Sequence, residues 1–132
     1  MSEDDSVALV IEGLKDLTLD LSVPILVVVA AGPTSGKRMR VQDLRGSSAL
    51  TVSADVVLIL NDKFDVVARH HLIYNLANAE RFHGWVVMTI EKNRNGVDKV
   101  DLEFRKRFEQ SRFDPAGGMV AEQLIDERIF VD

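Results

Sequence analysis

The chain has 132 residues, a length that suits one domain with a single hydrophobic core. It contains no cysteine, which excludes disulfide frameworks, thiolate zinc sites and cysteine nucleophiles. Its 16 basic and 21 acidic residues give a net charge of −5, whereas a freestanding nucleic-acid-binding domain usually carries a basic surplus. An acidic start and the lack of a long apolar run argue against a secretory signal and a membrane span, so we expect a cytoplasmic protein.

The first part of the chain predicts one long helix followed by two buried strands. Apolar residues recur at three- and four-residue steps over residues 6–21, and Pro24 ends this helix because proline cannot continue one. Residues 25–31 and 55–60 are continuous aliphatic runs without alternation, which is typical of strands buried on both faces of a parallel sheet. Between these runs, residues 41–52 predict a short, irregular helical piece.

The second part predicts a third buried strand and a hairpin. Residues 85–90 form another aliphatic run, and Asn95-Gly96 is a strong two-residue hairpin signal. Residues 97–104 then alternate apolar and charged side chains, as in a returning antiparallel strand with one wet face. Less regular patterns predict an extra strand or irregular excursion at residues 61–84 and a turn at 114–118. They also predict a short helix at 120–128 and a final strand at 129–131.

These elements together predict an α/β fold with a mostly parallel sheet and an antiparallel hairpin at its edge. With a single long helix, one face of the sheet should be incompletely covered. An exposed apolar face implies a partner.

The segment AGPTSGKR, residues 31–38, suggests a phosphate loop because it follows a predicted buried strand. However, Arg38 stands where the loop needs a hydroxyl residue for Mg²⁺, and the following residues make a poor first helix. An exposed basic loop is therefore the favoured interpretation. An autonomous nucleotide hydrolase using Lys37 stays open only as a minor alternative.

Three ordered motifs carry a family resemblance. They are DLRGSSA at residues 43–49, ADVVLIL at 54–60 and EKNRNG at 91–96. Their order and spacing, with the helix and aliphatic run before them, resemble the carboxyl-terminal half of the RecA-like ATPase core of DnaB-type replicative helicases. The resemblance runs from about Gly13 to Phe113 and implies DNA replication, ATP and DNA binding, and a ring-shaped oligomer.

The resemblance gives Lys92 and Arg94 a catalytic role in trans. In such rings, ATP lies between subunits, and cations from one subunit reach the terminal phosphate held by its neighbour. Two residues that are two apart on a strand point to one side, which agrees with a shared target. The alternative is two ordinary surface cations beside a turn.

The loop at residues 43–49 resembles the one that faces DNA in the central channel. The resemblance implies phosphate contacts by Arg45, Gly46 and Ser48, with Lys37, Arg38 and Arg40 as weaker candidates. Such contacts are independent of base sequence and sensitive to salt. The alternative is that Arg45 pairs with Asp43 or caps a helix. Gly46 stands where the family often has an acid.

Several family features are missing from the chain. The aliphatic run at residues 25–31 is not followed by the glutamine that senses nucleotide in the family, and no phosphate loop or metal-binding acid precedes Ser6. We therefore expect a half-core that is inactive alone. ATP and Mg²⁺ would matter only in a complete assembly, and the partners would be single-stranded DNA and a second copy or a related ATPase subunit, without a membrane.

Two further interpretations concern partners and metals. A non-catalytic interaction or regulatory module that pairs through its exposed sheet is the main alternative function. His70, His71 and His83 do not predict a metal site, because adjacent histidines on a strand point to opposite faces and no carboxylate has ligand spacing around them.

Overall fold

The computed structural model of the protein describes residues 2–29, 38–73 and 77–125. Within these ranges an antiparallel sheet of five short strands follows one long helix, which confirms the α/β class. The helices are α1 (Glu3–Leu21), α2 (Ser47–Ser53), α3 (Lys63–Val66), α4 (His70–Ile73) and α5 (Ala77–His83), with 3₁₀ turns at Val41–Asp43 and Phe108–Gln110. The strands are β1 (Val56–Asp62), β2 (Trp85–Asn93), β3 (Val100–Arg107), β4 (Arg112–Phe113) and β5 (Gly118–Met119).

Helix α1 begins three residues earlier than its apolar pattern predicts because a capping box fixes its first turn. The Ser2 hydroxyl accepts a hydrogen bond from the Asp5 amide at 3.1 Å, and the Asp5 carboxylate accepts one from the Ser2 amide at 3.3 Å. The helix ends at Ser22 in a left-handed conformation, with Pro24 beyond it. Its apolar residues are not buried in the described structure, and α1 packs against the short helix α2.

The sheet has the order β1-β2-β3-β4, and β5 also pairs with β3. Every pairing between the described strands is antiparallel. The prediction of a mostly parallel sheet is therefore wrong. The aliphatic runs of β1 and β2 predict strands correctly. They do not predict strand direction, and the expected burial on both faces is wrong for β1, whose residues alternate between exposed and buried over Val56–Leu60. The antiparallel return of β3 is confirmed, but its connection spans residues 94–99 rather than two residues, with Lys99 in the left-handed region.

The two faces of the sheet differ in how they are covered. On one face, charged side chains of β3 are covered by cations: Arg38 bonds to Asp101, and Lys63 bonds to Glu103. The expectation that the charged side of β3 is its wet face is therefore wrong. The open face is apolar and includes Val56, Leu58 and Leu60 of β1, about half exposed at 51%, 46% and 53%.

In the described part of residues 61–84, Asn61 and Asp62 complete β1, and the short helices α3, α4 and α5 follow in place of an extra strand. Its helices pack on the sheet through a core cluster made of Val66, Val67, Phe82, Val87 and Leu124. A second cluster, Met39, Val57 and Ile59, lies under the segment that precedes the first 3₁₀ turn.

Two other expectations are wrong in the described residues. Residues 25–29 form no strand, and Leu26 and Val28 are 88% and 89% exposed rather than buried. Residues 120–125 are not helical; Leu124 instead forms a β-bridge with Val67. The remainder of the predicted helix at 120–128, the final strand at 129–131 and residues 30–37 lie outside the described residues.

Candidate functional site

Lys92 and Arg94 converge on the carboxyl end of α2. Lys92 Nζ donates to the Thr51 carbonyl and lies 3.5 Å from the Val52 carbonyl oxygen. Arg94 Nη2 donates to the same Val52 carbonyl at 2.8 Å. These carbonyls belong to the last turn of a helix, where they lack intrahelical donors and attract cations. The two side chains therefore share one side and one target.

Asp55 links this pair to α1. Its Oδ1 accepts a hydrogen bond from Arg94 Nη1 at 2.8 Å and one from Lys15 Nζ at 3.0 Å. Lys15 is 40 residues away in the chain, and no local motif marks it. Ile11, Lys15 and Thr18 lie on one row along α1. The one signal in the sequence is that Lys15 is the charged residue of this row.

The electrostatics of these four residues are coupled. The hydrogen bond from Lys15 is the largest cause that lowers the pKa of Asp55 below its ordinary value. Desolvation, the next cause, opposes it, and the charges of Lys15, Arg94 and Lys92 add to the lowering. Partial desolvation lowers the pKa of Lys92, and repulsion from Arg94 adds to this. Lys15 and Arg94 bond to the Asp55 carboxylate and Lys92 bonds to the nearby Thr51 carbonyl, so these four side chains together carry a surplus of two positive charges. Such a cluster can bind a multivalent anion.

The sequence of the chain also matches a known protein family. The model of the DnaB-like helicase C terminal domain matches residues 1–114. The chain belongs to this family. The family match covers both α2 and the β2–β3 connection, so Lys92 and Arg94 lie within the matched region.

One curated relative is the replicative DNA helicase DnaB of Treponema pallidum (strain Nichols). It is 29% identical over 103 residues, which cover 76% of this chain. The chain spans only 20% of the length of that relative. No solved structure matches the chain significantly.

The loop before α2 is held by acids of the first turn of α1. Arg45 forms an exposed ion pair with Glu3, and the Gly46 amide donates to Asp4 Oδ1 at 2.8 Å. Arg45 thus pairs with a distant acid and not with Asp43, the partner considered from sequence. Ser48 is exposed near the start of α2. The predicted DNA-contact residues therefore lie together, with an acidic neighbour against them.

Arg38 and Arg40 lie over the sheet instead of in that loop. The Arg38 side chain is 2% exposed and bonds to Thr89 and Asp101. Arg40 pairs with Glu91 through Nε and Oε1 at 2.9 Å. In these positions both guanidinium groups are engaged with β2 or β3, so neither supports the DNA-contact prediction. Lys37 lies outside the described residues.

The histidines occupy places that the sequence did not predict. His70 and His71 begin α4 and are not on a strand; the His71 Nε2 accepts a hydrogen bond from the Gln123 amide at 3.0 Å. His83 stacks on Phe64 with ring centroids 4.0 Å apart. Across residues 2–29, 38–73 and 77–125, no three histidine or acidic side chains cluster as metal ligands would. In the same ranges, no helix is long and apolar enough to cross a membrane.

Proposed function

We propose that this chain supplies the trans-acting half of a RecA-like ring ATPase of the replicative DNA helicase type. Lys92 and Arg94 would contact the terminal phosphate of ATP bound by a neighbouring subunit. The loop that carries Arg45, Gly46 and Ser48 would contact the DNA backbone. The chain alone would not hydrolyse ATP.

The observation that carries this proposal is the shared position of Lys92 and Arg94 at the end of α2. Two long side chains from the end of one strand reach one carbonyl group, 3.5 Å and 2.8 Å away. The Arg94 side chain is 41% exposed, and Lys92 is partly exposed. Paired, positioned cations are what the transition state of phosphoryl transfer needs, because charge develops on the transferred group.

In such an assembly the nucleotide and Mg²⁺ would be held by the phosphate loop and acid of the other subunit. ATP supplies the phosphoryl group, and Mg²⁺ neutralises part of its charge. The residues of this chain would orient the terminal phosphate and balance the charge that its oxygens gain. The guanidinium of Arg94 suits this role because its planar donors match phosphate oxygens.

The sharpest test places this chain in the relative that it matches. The matched segment of the Treponema pallidum helicase is replaced with the corresponding residues of this chain, and ATP hydrolysis is measured with single-stranded DNA. Arg94→Ala in the chimera should reduce hydrolysis at least ~10³-fold, the usual effect of losing a trans-acting arginine. Ring assembly and nucleotide binding, measured by light scattering and calorimetry, should be retained.

Mixed rings then test the trans geometry. One subunit carries Arg94→Ala with an intact phosphate loop, and the other carries intact Arg94 with the lysine of its phosphate loop replaced. Hydrolysis that reappears only on mixing supports the proposal. Rings that stay inactive on mixing, although each parent assembles, contradict it. Strong Mg²⁺-dependent hydrolysis by the isolated chain would also contradict it.

A second candidate function is an interaction or regulatory module that pairs through the open apolar face of the sheet. Its support is the half-exposed row Val56, Leu58 and Leu60 on β1, together with exposed Leu26 and Val28 nearby in the groove they line. Strand β1 also forms one end of the described sheet. Exposed apolar faces of this kind are usually covered by a partner.

Light scattering distinguishes this candidate. A chain that pairs through the face should show a concentration-dependent dimer that Leu58→Asp disrupts. The control Leu19→Asp, on the exposed side of α1, should leave the dimer intact. A monomer at high concentration counts against the second candidate and leaves the first unaffected.

A further inference from the structure

Lys15 is the least expected member of the cation cluster. It comes from the middle of α1, whereas Lys92 lies at the end of β2 and Arg94 directly follows that strand. Its Nζ lies 3.0 Å and 3.1 Å from the two carboxylate oxygens of Asp55. Its side chain is 27% exposed, less than that of Arg94 or Asp55. A lysine held this closely among other cations requires an anion, and Asp55 supplies only one charge.

We propose that Lys15 is a third phosphate-binding cation of this site and that Asp55 is its resident counter-anion. The proposal rests on the proposed function, because it gives the cluster the terminal phosphates of a nucleotide as ligand. Asp55 holds Lys15 and Arg94 in place while no phosphate is present. A polyphosphate would then share or replace the carboxylate as their partner.

The charges of the cluster favour a multivalent anion over a single carboxylate. Lys15, Lys92 and Arg94 all act on Asp55, and their sum exceeds its charge by two. Thr51 and Val52 offer only neutral carbonyl groups. Like charges brought this close repel each other: the pKa of Lys92 is lowered first by desolvation and then by the charge of Arg94. An added anion relieves that repulsion, whereas a simple structural ion pair would not need the third cation.

The geometry also separates Lys15 from ordinary surface pairs. Its partner Asp55 is fixed by the backbone, since the Asp55 carbonyl accepts from the Arg94 amide at 2.9 Å. Lys15 therefore reaches a residue whose backbone is registered to Arg94. The ammonium of α1 and the guanidinium of Arg94 both donate to the same carboxylate oxygen, Oδ1 of Asp55.

The test is the binding of inorganic tripolyphosphate to the full chain at low ionic strength, measured by calorimetry. Lys15→Met, Lys92→Met and Arg94→Met keep apolar stems but remove the charge, and each should weaken binding roughly five-fold. Arg112→Met is the control of equal charge, because the strand register places Arg112 at the opposite end of the sheet from Lys92. It should change the affinity little. Circular dichroism verifies that each variant is folded.

Two variants distinguish phosphate binding from a structural role. Lys15→Arg should restore binding, since the charge returns. Asp55→Asn should tighten binding roughly three-fold, because it removes the competing carboxylate. If Asp55→Asn weakens binding, the counter-anion role is overturned.

The outcomes separate this inference from the proposed function. If Lys92→Met and Arg94→Met weaken binding but Lys15→Met does not, the role of Lys15 is overturned and the proposed function stands. If none of the three weakens binding, or the unmodified chain binds no tripolyphosphate, the phosphate site itself is overturned together with the basis of the proposed function. If all three weaken binding and Arg112→Met does not, the inference is supported.

Discussion

Arg94 is attached to Asp55 at two points. Its backbone amide donates to the Asp55 carbonyl at 2.9 Å, and its Nη1 donates to the Asp55 carboxylate at 2.8 Å. The first bond fixes where the arginine leaves the strand, and the second fixes where its guanidinium lies. The remaining Nη2 bonds to the Val52 carbonyl. A side chain held at three points is already oriented before any ligand arrives, which lowers the entropic cost of binding.

This attachment predicts that lysine cannot replace Arg94. A single ammonium cannot bridge both Asp55 and the Val52 carbonyl, and it lacks the planar donors that match a phosphate. Arg94→Lys in the chimeric ring should therefore lower ATP hydrolysis about 100-fold while the charge is unchanged. The urea midpoint of the isolated chain should change little, because the residues involved are solvent-exposed. Full hydrolysis with lysine at this position would show that charge alone is sufficient.

Gly46 should be intolerant of a side chain. Its φ is +72°, and an added Cβ would lie 2.8 Å from the Val7 Cβ on α1. Gly46→Ala should lower the free energy of unfolding by about 2 kcal/mol or more, from the left-handed backbone and the overlap together. Urea unfolding measures this. Gly13→Ala is the matched control: nothing lies within 4 Å of its added Cβ, and it lies within α1, so it should stabilise by about 0.5–1 kcal/mol. Equal effects at both glycines would contradict the clash.

Local patterns predicted the long helix and the three main strands of the described structure. The periodicity of α1, the aliphatic runs of β1 and β2 and the alternation of β3 each reflect neighbours in sequence, so they are readable from it. Strand direction and the choice of open face depend on residues far apart. Asp101 and Glu103 are covered because Arg38 and Lys63 lie over them, and no local pattern contains that information. Residues 25–29 are as apolar as a buried strand, but apolarity predicts the need for a partner, not its presence.

In the candidate site, too, local motifs could be recognised in the sequence, whereas contacts between distant segments could not. Lys92 and Arg94 were singled out by the family resemblance of their motif, and their spacing of two on a strand agreed with a shared side. Lys15 was not, because its place in the cluster depends on how α1 lies relative to Asp55. The contact of Arg45 with Glu3 also joins segments 42 residues apart. Charge pairing over such separations requires the fold.

The acidic first turn of α1 should compete with DNA for the loop before α2. Glu3 pairs with Arg45, so DNA phosphates must displace a carboxylate to reach that guanidinium. Glu3→Gln should raise the affinity for single-stranded DNA roughly two- to three-fold at low salt, and added salt should reduce the difference. Fluorescence anisotropy with a labelled oligonucleotide measures both effects.

The control for this prediction is Glu12→Gln, which removes the same charge from an exposed position on the same helix. If both variants raise the affinity equally, the effect comes from net charge and not from the contact with Arg45. Arg45→Gln should lower the affinity in the same assay. An unchanged affinity with Arg45→Gln would remove this loop from the DNA-contact proposal.

The covered side of the sheet contains an ion-pair network around Lys63. This lysine is buried, bonds to Glu103, and donates to Glu122 Oε1 at 3.1 Å. Lys63→Met should lower the free energy of unfolding by ~3 kcal/mol, because two poorly hydrated carboxylates would lose their cation. Urea unfolding at neutral pH measures this loss. A neutral or stabilising effect would mean that packing of the methionine outweighs the cost of leaving the two carboxylates without their lysine.

Glu122 gives the network a predictable dependence on pH. Burial raises the pKa of Glu122, but the hydrogen bond from Lys63 and the charges of Lys63 and Arg81 outweigh it, so the net shift is below the ordinary value of 4.5. A carboxyl with a depressed pKa in the folded state stabilises the fold above its unfolded-state pKa. That stabilisation should be fully present at pH 6–7 and decline as the pH falls below about 4.5 towards the folded-state value. Glu122→Gln should lower stability at neutral pH and flatten this decline, which urea unfolding between neutral pH and pH 3 measures. Parallel stability curves for the two proteins would show that Glu122 does not contribute to the acid sensitivity.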